Sequence, residues 1–149
     1  MSQQTLIIVK PDGVCQNIVG KVIARFAEKG LRLRGLRMLK LSPQQAEQFY
    51  QEHQGKPFYE PLVRFMTSAP IVATVWEGAD AIAKARSVMG ATNSPQAAPG
   101  TLRREFGTNN RYNVVHGSDS PASSQREIDF FFKTDDLYTY DENDWKVEK

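Results

Sequence analysis

Hydrophobic residues recur along the chain first as a strand-like run and then as a helical stripe. The four consecutive apolar residues Leu6–Val9, rich in β-branched types and followed by Pro11, predict a buried strand over 5–10. Apolar residues at positions 19, 22, 23 and 26 then repeat with the spacing of one helix face. They predict a helix over 18–29 that ends at Gly30.

An alternation of apolar and polar residues follows and predicts one long strand over 31–41. The alternation changes phase at Gly35, which indicates a β-bulge at that position. Ser42, followed by proline and by Gln45, is typical of a helix start with a capping box. The apolar face of this helix carries Tyr50 near its end.

The second half of the chain continues the order of strands and helices. β-Branched and aromatic residues predict a strand over 70–77, a helix follows over 79–89, and a short apolar run predicts a strand over 112–116. An N-cap serine and a proline suit the start of a last helix over 121–132. Two such βαβ halves predict an α+β, ferredoxin-like βαββαβ fold, with an antiparallel four-stranded sheet and helices on one face.

Length and composition limit the class of protein. A chain of 149 residues fits one domain, so we expect 1–149 to form a single domain with a tail over 133–149. The 19 basic and 17 acidic residues give a net charge of only +2, which does not indicate nucleic-acid binding. The single cysteine, Cys15, excludes an internal disulfide, and with two distant histidines it leaves no zinc set. The longest apolar run is too short for a signal peptide or a membrane span, so we expect a cytoplasmic protein.

The stretch Asn113–Ser120 is the first candidate for chemistry. His116 is one of only two histidines, and it ends an apolar run directly before Gly117, so its ring is expected to face a cleft. A neutral imidazole, with a pKa near ~6.5, acts as a nucleophile or base at pH 7. The helix start that follows offers free backbone N–H groups to an anion. Taken alone, the stretch fits a partly buried structural histidine even better than a catalytic one.

Two basic residues stand at positions that suit an anion. Lys10 falls at the end of the first strand, where a solvated strand-end lysine is the alternative interpretation. Arg86 falls within the apolar stripe of the helix over 79–89, and no acidic residue precedes it by three or four positions. A half-buried guanidinium needs an anionic partner, so a phosphate is a candidate ligand. A P-loop ending at Lys21 is excluded because Cys15 stands at its required first glycine.

Three further side chains have both a structural and a chemical interpretation. Tyr50 suits either core packing or a cleft that its hydroxyl reaches. Phe58, at a loop-to-helix junction, suits either the core or a stacking platform for a base. Glu127 is either a surface charge or the group that holds the ring of His116 in one tautomer. His53 is interpreted as structural or solvated, because nothing chemical flanks it.

Three short motifs in this order resemble those of the nucleoside diphosphate kinases: Lys10-Pro-Asp-Gly13, Gly90-Ala-Thr-Asn93 and Asn113-x-x-His116-Gly-Ser-Asp119. The resemblance extends over 5–132, and the order and spacing of the motifs make it specific. It implies an enzyme that transfers the γ-phosphate of a nucleoside triphosphate, mainly ATP, to nucleoside diphosphates. The implied route is a ping-pong mechanism through phospho-His116, which maintains the pools of nucleoside triphosphates.

The resemblance also implies the parts that other residues play. Asn113 contacts the sugar or its 3′-hydroxyl, Phe58 stacks on the base with Leu62 beside it, and Glu127 orients the catalytic histidine. The phosphates are held and neutralised by Lys10, Tyr50, Arg86, Thr92 and Arg103. The implied cofactor is Mg²⁺, held mainly by the nucleotide phosphates, with Asp119 as a ligand through water.

The chain departs from the common family pattern at two positions. Ser94 follows Thr92-Asn93, and the proline of that loop is displaced to Pro95. In the family this proline supports subunit contacts, so the departure concerns oligomer strength rather than catalysis. Asn110 stands where many relatives place a small apolar residue against the base, which predicts a more polar stacking pocket.

The tail over 133–149 is acidic but carries Tyr138, Tyr140 and Trp145. Three aromatic residues predict a docked tail, and we expect it to lie at a subunit contact. Such a tail resembles that of longer, typically hexameric members of the family. We therefore expect a homo-oligomer, a hexamer in preference to a tetramer.

Two other functions fit parts of the sequence. A ferredoxin-like module that senses nucleotides or binds a partner would keep the pocket without the chemistry, but it would not need a histidine–glutamate pair beside phosphate-directed cations. A nucleic-acid stripe would use the basic residues Arg32, Arg34, Arg37 and Lys40. The solvated outer face of an amphipathic strand explains them more simply, so we expect nucleoside tri- and diphosphates as partners, with no specific nucleic acid and no membrane.

Overall fold

The computed structural model describes residues 2–148. Within this range the strands are β1 Ser2–Val9, β2 Arg32–Leu39, β3 Ile71–Ala79 and β4 Val115–Gly117. The α-helices are α1 Pro11–Cys15, α2 Val19–Glu28, α3 Pro43–Phe49, α4 Tyr59–Met66, α5 Ala81–Met89, α6 Leu102–Phe106 and α7 Pro121–Phe131. Short 3₁₀ turns lie at Gln51–His53, Ser94–Gln96 and Thr134–Asp136. None of the helices in this range is long and apolar enough to span a membrane.

The four strands form one sheet in the order β2-β3-β1-β4. β1 pairs antiparallel with both β3 and β4, and β2 pairs antiparallel with β3. This is the strand order of the predicted ferredoxin-like fold, and the fold prediction is confirmed. His116 pairs with Ile8, so the central strand β1 fixes the position of the candidate nucleophile.

Helices cover both faces of the sheet, so the prediction of helices on one face is wrong. The side chains on one face pack with α2 and α5 in a cluster that includes Ile7, Val9, Val22, Phe26 and Ala85. The opposite face packs with α3, α4 and α7 in a cluster that includes Leu6, Ile8, Ala46, Met66 and Ile128. Successive side chains of a strand point to opposite faces, and β1 is apolar on both, so both faces need cover.

β3 extends beyond its predicted end, into the residues that were expected to begin the next helix. Ala79 pairs with Ser2 at the start of β1, so it belongs to the sheet. Asp80 then turns the chain with a φ of 52°, and α5 begins at Ala81. On β2, the register shifts between Leu33 and Gly35, which confirms the predicted bulge.

The backbone before β4 differs from the prediction, and so does the segment after β1. β4 begins at Val115 rather than at 112, because Val114 has a φ of 63° and leaves the extended conformation. Helix α1 follows Lys10 directly, with Pro11 at its first position, where the sequence analysis predicted no helix. The backbone N–H of Lys10 donates to the carbonyl of Val114 at 2.8 Å, which places the first motif beside the third.

The arginines of β2 make contacts within the chain. Arg34 lies 3.5 Å from Glu77 and its side chain is only 10% exposed, so the prediction of a solvated side chain is wrong there. Arg37 is exposed, as expected, although it also donates to the carbonyl of Phe131 at 3.0 Å. These contacts remove one guanidinium group from the surface that a nucleic acid would need.

Residues 133–140, which we call the C-terminal strap, lie along β2 of the same chain. The N–H of Tyr138 donates to the carbonyl of Arg34 at 2.9 Å, and the guanidinium of Arg34 lies 4.9 Å from the ring centre of Tyr140. Beyond the strap residues 141–148 are exposed, and Trp145 is 74% exposed. Contact of this exposed end with a neighbouring subunit stays a prediction.

Candidate active site

A cavity of about 740 Å³ lies beside His116. It is lined by every residue that the sequence analysis placed in the site: Lys10, Tyr50, Phe58, Leu62, Arg86, Thr92, Arg103, Asn110, Asn113, His116, Asp119 and Glu127. Strand ends, helices and loops from the whole length of the domain therefore meet at one place. The volume lies in the range of small-molecule sites.

His116 is held from one side and open from the other. Its Nε2 lies 3.0 Å from Oε1 of Glu127, and the hydroxyl of Ser118 donates to the same oxygen at 2.8 Å. Burial by itself raises the pKa of Glu127, but the hydrogen bonds from His116 and Ser118 outweigh it, so this pKa lies below its usual value. An ionised carboxylate accepts the proton of Nε2, which leaves Nδ1 as the ring nitrogen with a free lone pair.

Lys10 is almost fully buried at the wall of the cavity. Its Nζ donates to Oδ1 of Asn113 at 2.8 Å and to the carbonyl of Arg111 at 3.0 Å. Burial, followed by the positive charge of Arg103, lowers the pKa of Lys10 to about 8. The ammonium group is therefore charged at neutral pH in surroundings that disfavour a lone cation, and an anion beside it would stabilise it.

Two arginines complete the positive wall. Arg103 is buried and donates from Nη1 to the carbonyl of Gly90 at 3.0 Å and from Nη2 to that of Val115 at 2.8 Å, while its Nε has no partner. Burial and the charge of Arg86 lower the pKa of Arg103 to about 10, which keeps it charged at pH 7. Within residues 2–148, neither arginine nor Lys10 forms an ion pair with a carboxylate.

Arg86 reaches this wall from a different face of its helix than the sequence indicated. The buried positions of α5 are Ala81, Ile82, Ala85, Val88 and Met89. Arg86 lies beside this stripe and is exposed to the cavity, with Nη1 3.4 Å from the carbonyl of Gly117. The predicted half-buried position in the apolar stripe is therefore wrong, although the side chain lines the expected cavity.

Asn113 joins the loops around the cavity. Its Nδ2 donates to the carbonyl of Thr92 at 2.9 Å and to that of Asn110 at 3.3 Å. Ser94, the departure from the family pattern, is buried and donates to the carbonyl of Asn109 at 3.2 Å. A proline has no hydroxyl for this bond, so the departure adds a link between the two loops within the subunit.

The outer end of the cavity is aromatic. Phe58 is 41% exposed, and the ring of His53 lies 5.2 Å from it, centre to centre. Tyr50 is buried, and burial with the negative charge of Glu127 raises its pKa, so its hydroxyl stays a hydrogen-bond donor. Asn110 contributes an exposed amide to the same cavity.

Sequence reasoning missed several residues that line the cavity, which are Glu52, His53, Arg111, Ser123 and Arg126. His53 was interpreted as structural or solvated, whereas its ring forms part of the cavity wall beside Phe58. A usable signal was present, because His53 lies three positions after Tyr50 on the same predicted helix face. The other four are polar residues whose position depends on how separate loops and helices meet.

Asp119 is the carboxylate of the site that suits a magnesium ion bound mainly by the phosphates of a nucleotide. Asp119 accepts from the hydroxyl of Ser123 at 2.8 Å, and this bond outweighs the slight burial of the group and lowers the pKa of Asp119. In the described part of the chain, no group of three His, Cys, Asp or Glu residues is arranged to hold a metal. One ionised carboxylate therefore suits a Mg²⁺ ion whose main ligands are phosphate oxygens and water.

The fold and the cavity define the class, an α+β phosphotransferase that acts on nucleotides. The family model "Nucleoside diphosphate kinase" matches residues 3–137. The chain therefore belongs to the nucleoside diphosphate kinase family, whose members transfer phosphoryl groups between nucleotides.

Individual relatives agree with this assignment. The chain is 51% identical to a nucleoside diphosphate kinase of Carboxydothermus hydrogenoformans over 139 residues, which is 93% of each chain. It is 48% identical to that of Halalkalibacterium halodurans over 96% of this chain and 99% of the relative. A crystal form of the Aquifex aeolicus enzyme superposes with a TM-score of 0.90 at 41% identity, over 93% of this chain and all of that one. A halophilic enzyme from Halobacterium salinarum in complex with CDP superposes with a TM-score of 0.92 at 39% identity, over the whole of both chains.

Proposed function

We propose that this chain transfers the γ-phosphoryl group of a nucleoside triphosphate, mainly ATP, to nucleoside diphosphates through a covalent phosphohistidine at His116. The observation that carries the proposal is the arrangement around this ring. Nε2 is tied to Glu127 at 3.0 Å, and Nδ1 is left as a nucleophile in a cavity with Lys10, Arg86 and Arg103. The nucleotide that this cavity would hold is of the kind that a relative binds, since the Halobacterium salinarum enzyme is in complex with CDP.

The reaction has two in-line steps at phosphorus. In the first, Nδ1 of His116 forms a bond to the γ-phosphorus while the bond from that atom to the β–γ bridging oxygen breaks, and a nucleoside diphosphate leaves. In the second, a terminal β-phosphate oxygen of another diphosphate attacks the same phosphorus, and the N–P bond breaks. Throughout both steps Glu127 holds the proton of Nε2 and stabilises the positive charge on the ring.

The remaining residues position and neutralise the phosphates. Phosphoryl transfer needs little covalent help from the protein, because charge is spread over the oxygens of the transferred group. Donors that are already in place stabilise this charge without reorganising, and this set comprises Lys10, Tyr50, Arg86, Thr92 and Arg103. Asn113 contacts the sugar or its 3′-hydroxyl, and Mg²⁺, when bound, neutralises phosphate charge beside Asp119.

Labelling with γ-³²P ATP tests the proposal. We expect the protein to take up label that survives alkali and is lost in acid, and to pass it on when an unlabelled nucleoside diphosphate is added. A module that only senses nucleotides would bind ATP and take no label. If the protein binds ATP but takes no alkali-stable label, the proposed phosphotransfer is wrong and the nucleotide-sensing module is the better assignment.

Phe58 is the proposed stacking platform for the base, and its removal gives a prediction about KM. Because stacking on one aromatic ring contributes about 1–3 kcal/mol per base, Phe58→Ala should raise the KM for ATP, GTP and CTP about 5- to 150-fold, with a smaller change in kcat. Phe58 is partly exposed, so the fold should not change. Steady-state kinetics are measured beside Phe58→Tyr, which keeps the ring; equal KM values for the alanine and tyrosine variants would contradict the role.

We also propose a homo-oligomer, a hexamer in preference to a tetramer, that supplies nucleoside triphosphates in the cytoplasm. Support comes from exposed apolar side chains at two places, Leu36 and Met38 on the edge strand β2, and Trp145 and Val147 beyond the strap. Exposed apolar groups on an edge strand are typical of a contact surface.

Truncation tests the part that the tail plays in assembly. A chain cut after Lys133 should sediment as a smaller species than the full chain, because it loses the strap and the exposed aromatic end. The matched variant Trp145→Ala with Val147→Ser changes only side chains that are exposed in the subunit. Its oligomer should therefore dissociate without a loss of subunit stability. Unchanged sedimentation of both forms would exclude a subunit contact for the tail.

A further inference from the structure

We propose that Asp12 is a positioning residue for the nucleophile, because its carboxylate holds a strained turn at Val114 that sets the distance between Asn113 and His116. The inference rests on the proposed phosphotransfer at His116 and adds to it a residue that does not line the cavity. It connects helix α1, which the sequence did not predict, with the catalytic segment.

The turn at Val114 is strained and well defined. Val114 has a φ of 63°, which is a costly conformation for a β-branched residue. The N–H of Val115 donates to the carbonyl of Asn113 at 2.8 Å, and this bond from one residue to the second next closes a γ-turn centred on Val114. Such a turn persists only where its surroundings hold it in place.

The start of α1 holds the turn by both polar groups of Val114. Oδ2 of Asp12 accepts from the N–H of Val114 at 3.1 Å, and the N–H of Lys10 donates to its carbonyl at 2.8 Å. Gly13 permits this approach, since a Cβ there would lie 2.8 Å from Val9 Cγ1 and 3.1 Å from the Val114 carbonyl oxygen. Two hydrogen bonds therefore join the turn to the start of the helix.

One oxygen of the half-buried Asp12 carboxylate shows that the hydrogen bond to Val114 comes at a cost. Its Oδ1 is buried and has no hydrogen-bond partner in the described structure, which costs stability. An apolar residue would avoid this cost but would leave the Val114 N–H unbonded. The carboxylate is thus the group that satisfies the turn.

The turn separates two groups that must act on one substrate. Asn113 precedes it and binds Lys10, and His116 follows it by two residues on β4. A relaxed turn would shift the sugar and phosphate contacts relative to Nδ1. Since a misplacement of about 1 Å can lower a rate about 100-fold, the turn affects the attack more than it affects binding.

Single-turnover phosphorylation by γ-labelled ATP, measured by rapid quench, tests the inference. Asp12→Ala should lower the rate of His116 phosphorylation at saturating ATP about 10- to 100-fold. The affinity for a non-hydrolysable ATP analogue should change less than about 3-fold. Asp12→Asn should recover most of the rate, because its amide oxygen accepts the same Val114 N–H. A purely structural role predicts a lower melting temperature instead, with no such split between rate and affinity.

The outcomes separate this inference from the proposed function. If the unaltered protein takes no alkali-stable label, the phosphotransfer itself is wrong. If it does, and Asp12→Ala is phosphorylated as fast, or Asp12→Asn is as slow as alanine, only the role of Asp12 is wrong. Asp12→Glu, which keeps the charge but displaces the carboxylate by one methylene, serves as the second variant if the alanine chain does not fold, and a normal rate for it would equally overturn the proposal.

Discussion

His116→Ala is expected to abolish the phosphoenzyme and to lower nucleotide exchange by at least about 10⁴-fold, the largest loss of any single substitution in the chain. The covalent route splits transfer into two steps that never require both nucleotides in the cavity together. Without the ring nitrogen, direct transfer would need two polyanions to meet in one site. Exchange of phosphate between ATP and a second diphosphate, followed by chromatography, measures the loss.

His53→Ala is the control, because the chain has only two histidines and both line the cavity. The ring of His53 lies beside Phe58 and its nitrogens contact Lys56 and Glu52, whereas His116 contacts Glu127, so the variant should still take alkali-stable label. The control is judged by this label and not by the KM for nucleotides, because His53 lines the cavity. Alkali-stable label that persists on His116→Ala, or that vanishes in His53→Ala, would show that His116 is not the nucleophile.

Lys10→Met should lower kcat/KM about 10²- to 10³-fold, the second largest effect, with a change in the dependence of activity on pH. Methionine fills the buried space of the lysine stem but brings no charge to the phosphates. It also leaves the Oδ1 of Asn113 without the donor that lies 2.8 Å away in the unaltered chain. Steady-state kinetics over a range of pH measure both changes.

The sign of the pH dependence follows from the pKa of Lys10, which burial lowers to about 8. In the free enzyme the ammonium group loses its proton as the pH rises through this value, so kcat/KM should fall on the alkaline side. A bound phosphate favours the charged form and raises the pKa, so the fall in kcat should occur at higher pH. Lys10→Arg keeps a permanent charge and should lose the step near pH 8, whatever its rate. A step that stays near pH 8 in Lys10→Arg would assign it to another group.

The elements that the sequence predicted well are those where a local pattern and the final packing agree. The helix over 18–29 is confirmed as α2, because its apolar stripe faces the sheet through Val22 and Phe26. The bulge on β2 is confirmed by the register shift between Leu33 and Gly35. It was predictable because a change of phase at Gly35 within one strand leaves few other arrangements. The family resemblance implied that distant site residues meet in one cavity. The spacing of these residues along the sequence does not by itself predict this.

The differences arise where tertiary contacts decide the structure. Ala79 was predicted to begin a helix, but its pairing with Ser2 keeps it in the sheet. The γ-turn at Val114 opposes the preference of valine for extended backbone, so no local pattern predicts it. Arg86 was assigned to the apolar stripe of its helix, whereas the helix is rotated so that Ala83 and Arg86 are both exposed.

The C-terminal strap has a consequence for the order in which the molecule is made. Tyr138 pairs with Arg34, a residue that leaves the ribosome 104 positions earlier. Throughout that interval the outer strand has no covering segment from its own polypeptide, and the Arg34 carbonyl that Tyr138 will bind is open to other newly made chains. The strand can thus be shielded by its own tail only after synthesis has almost finished.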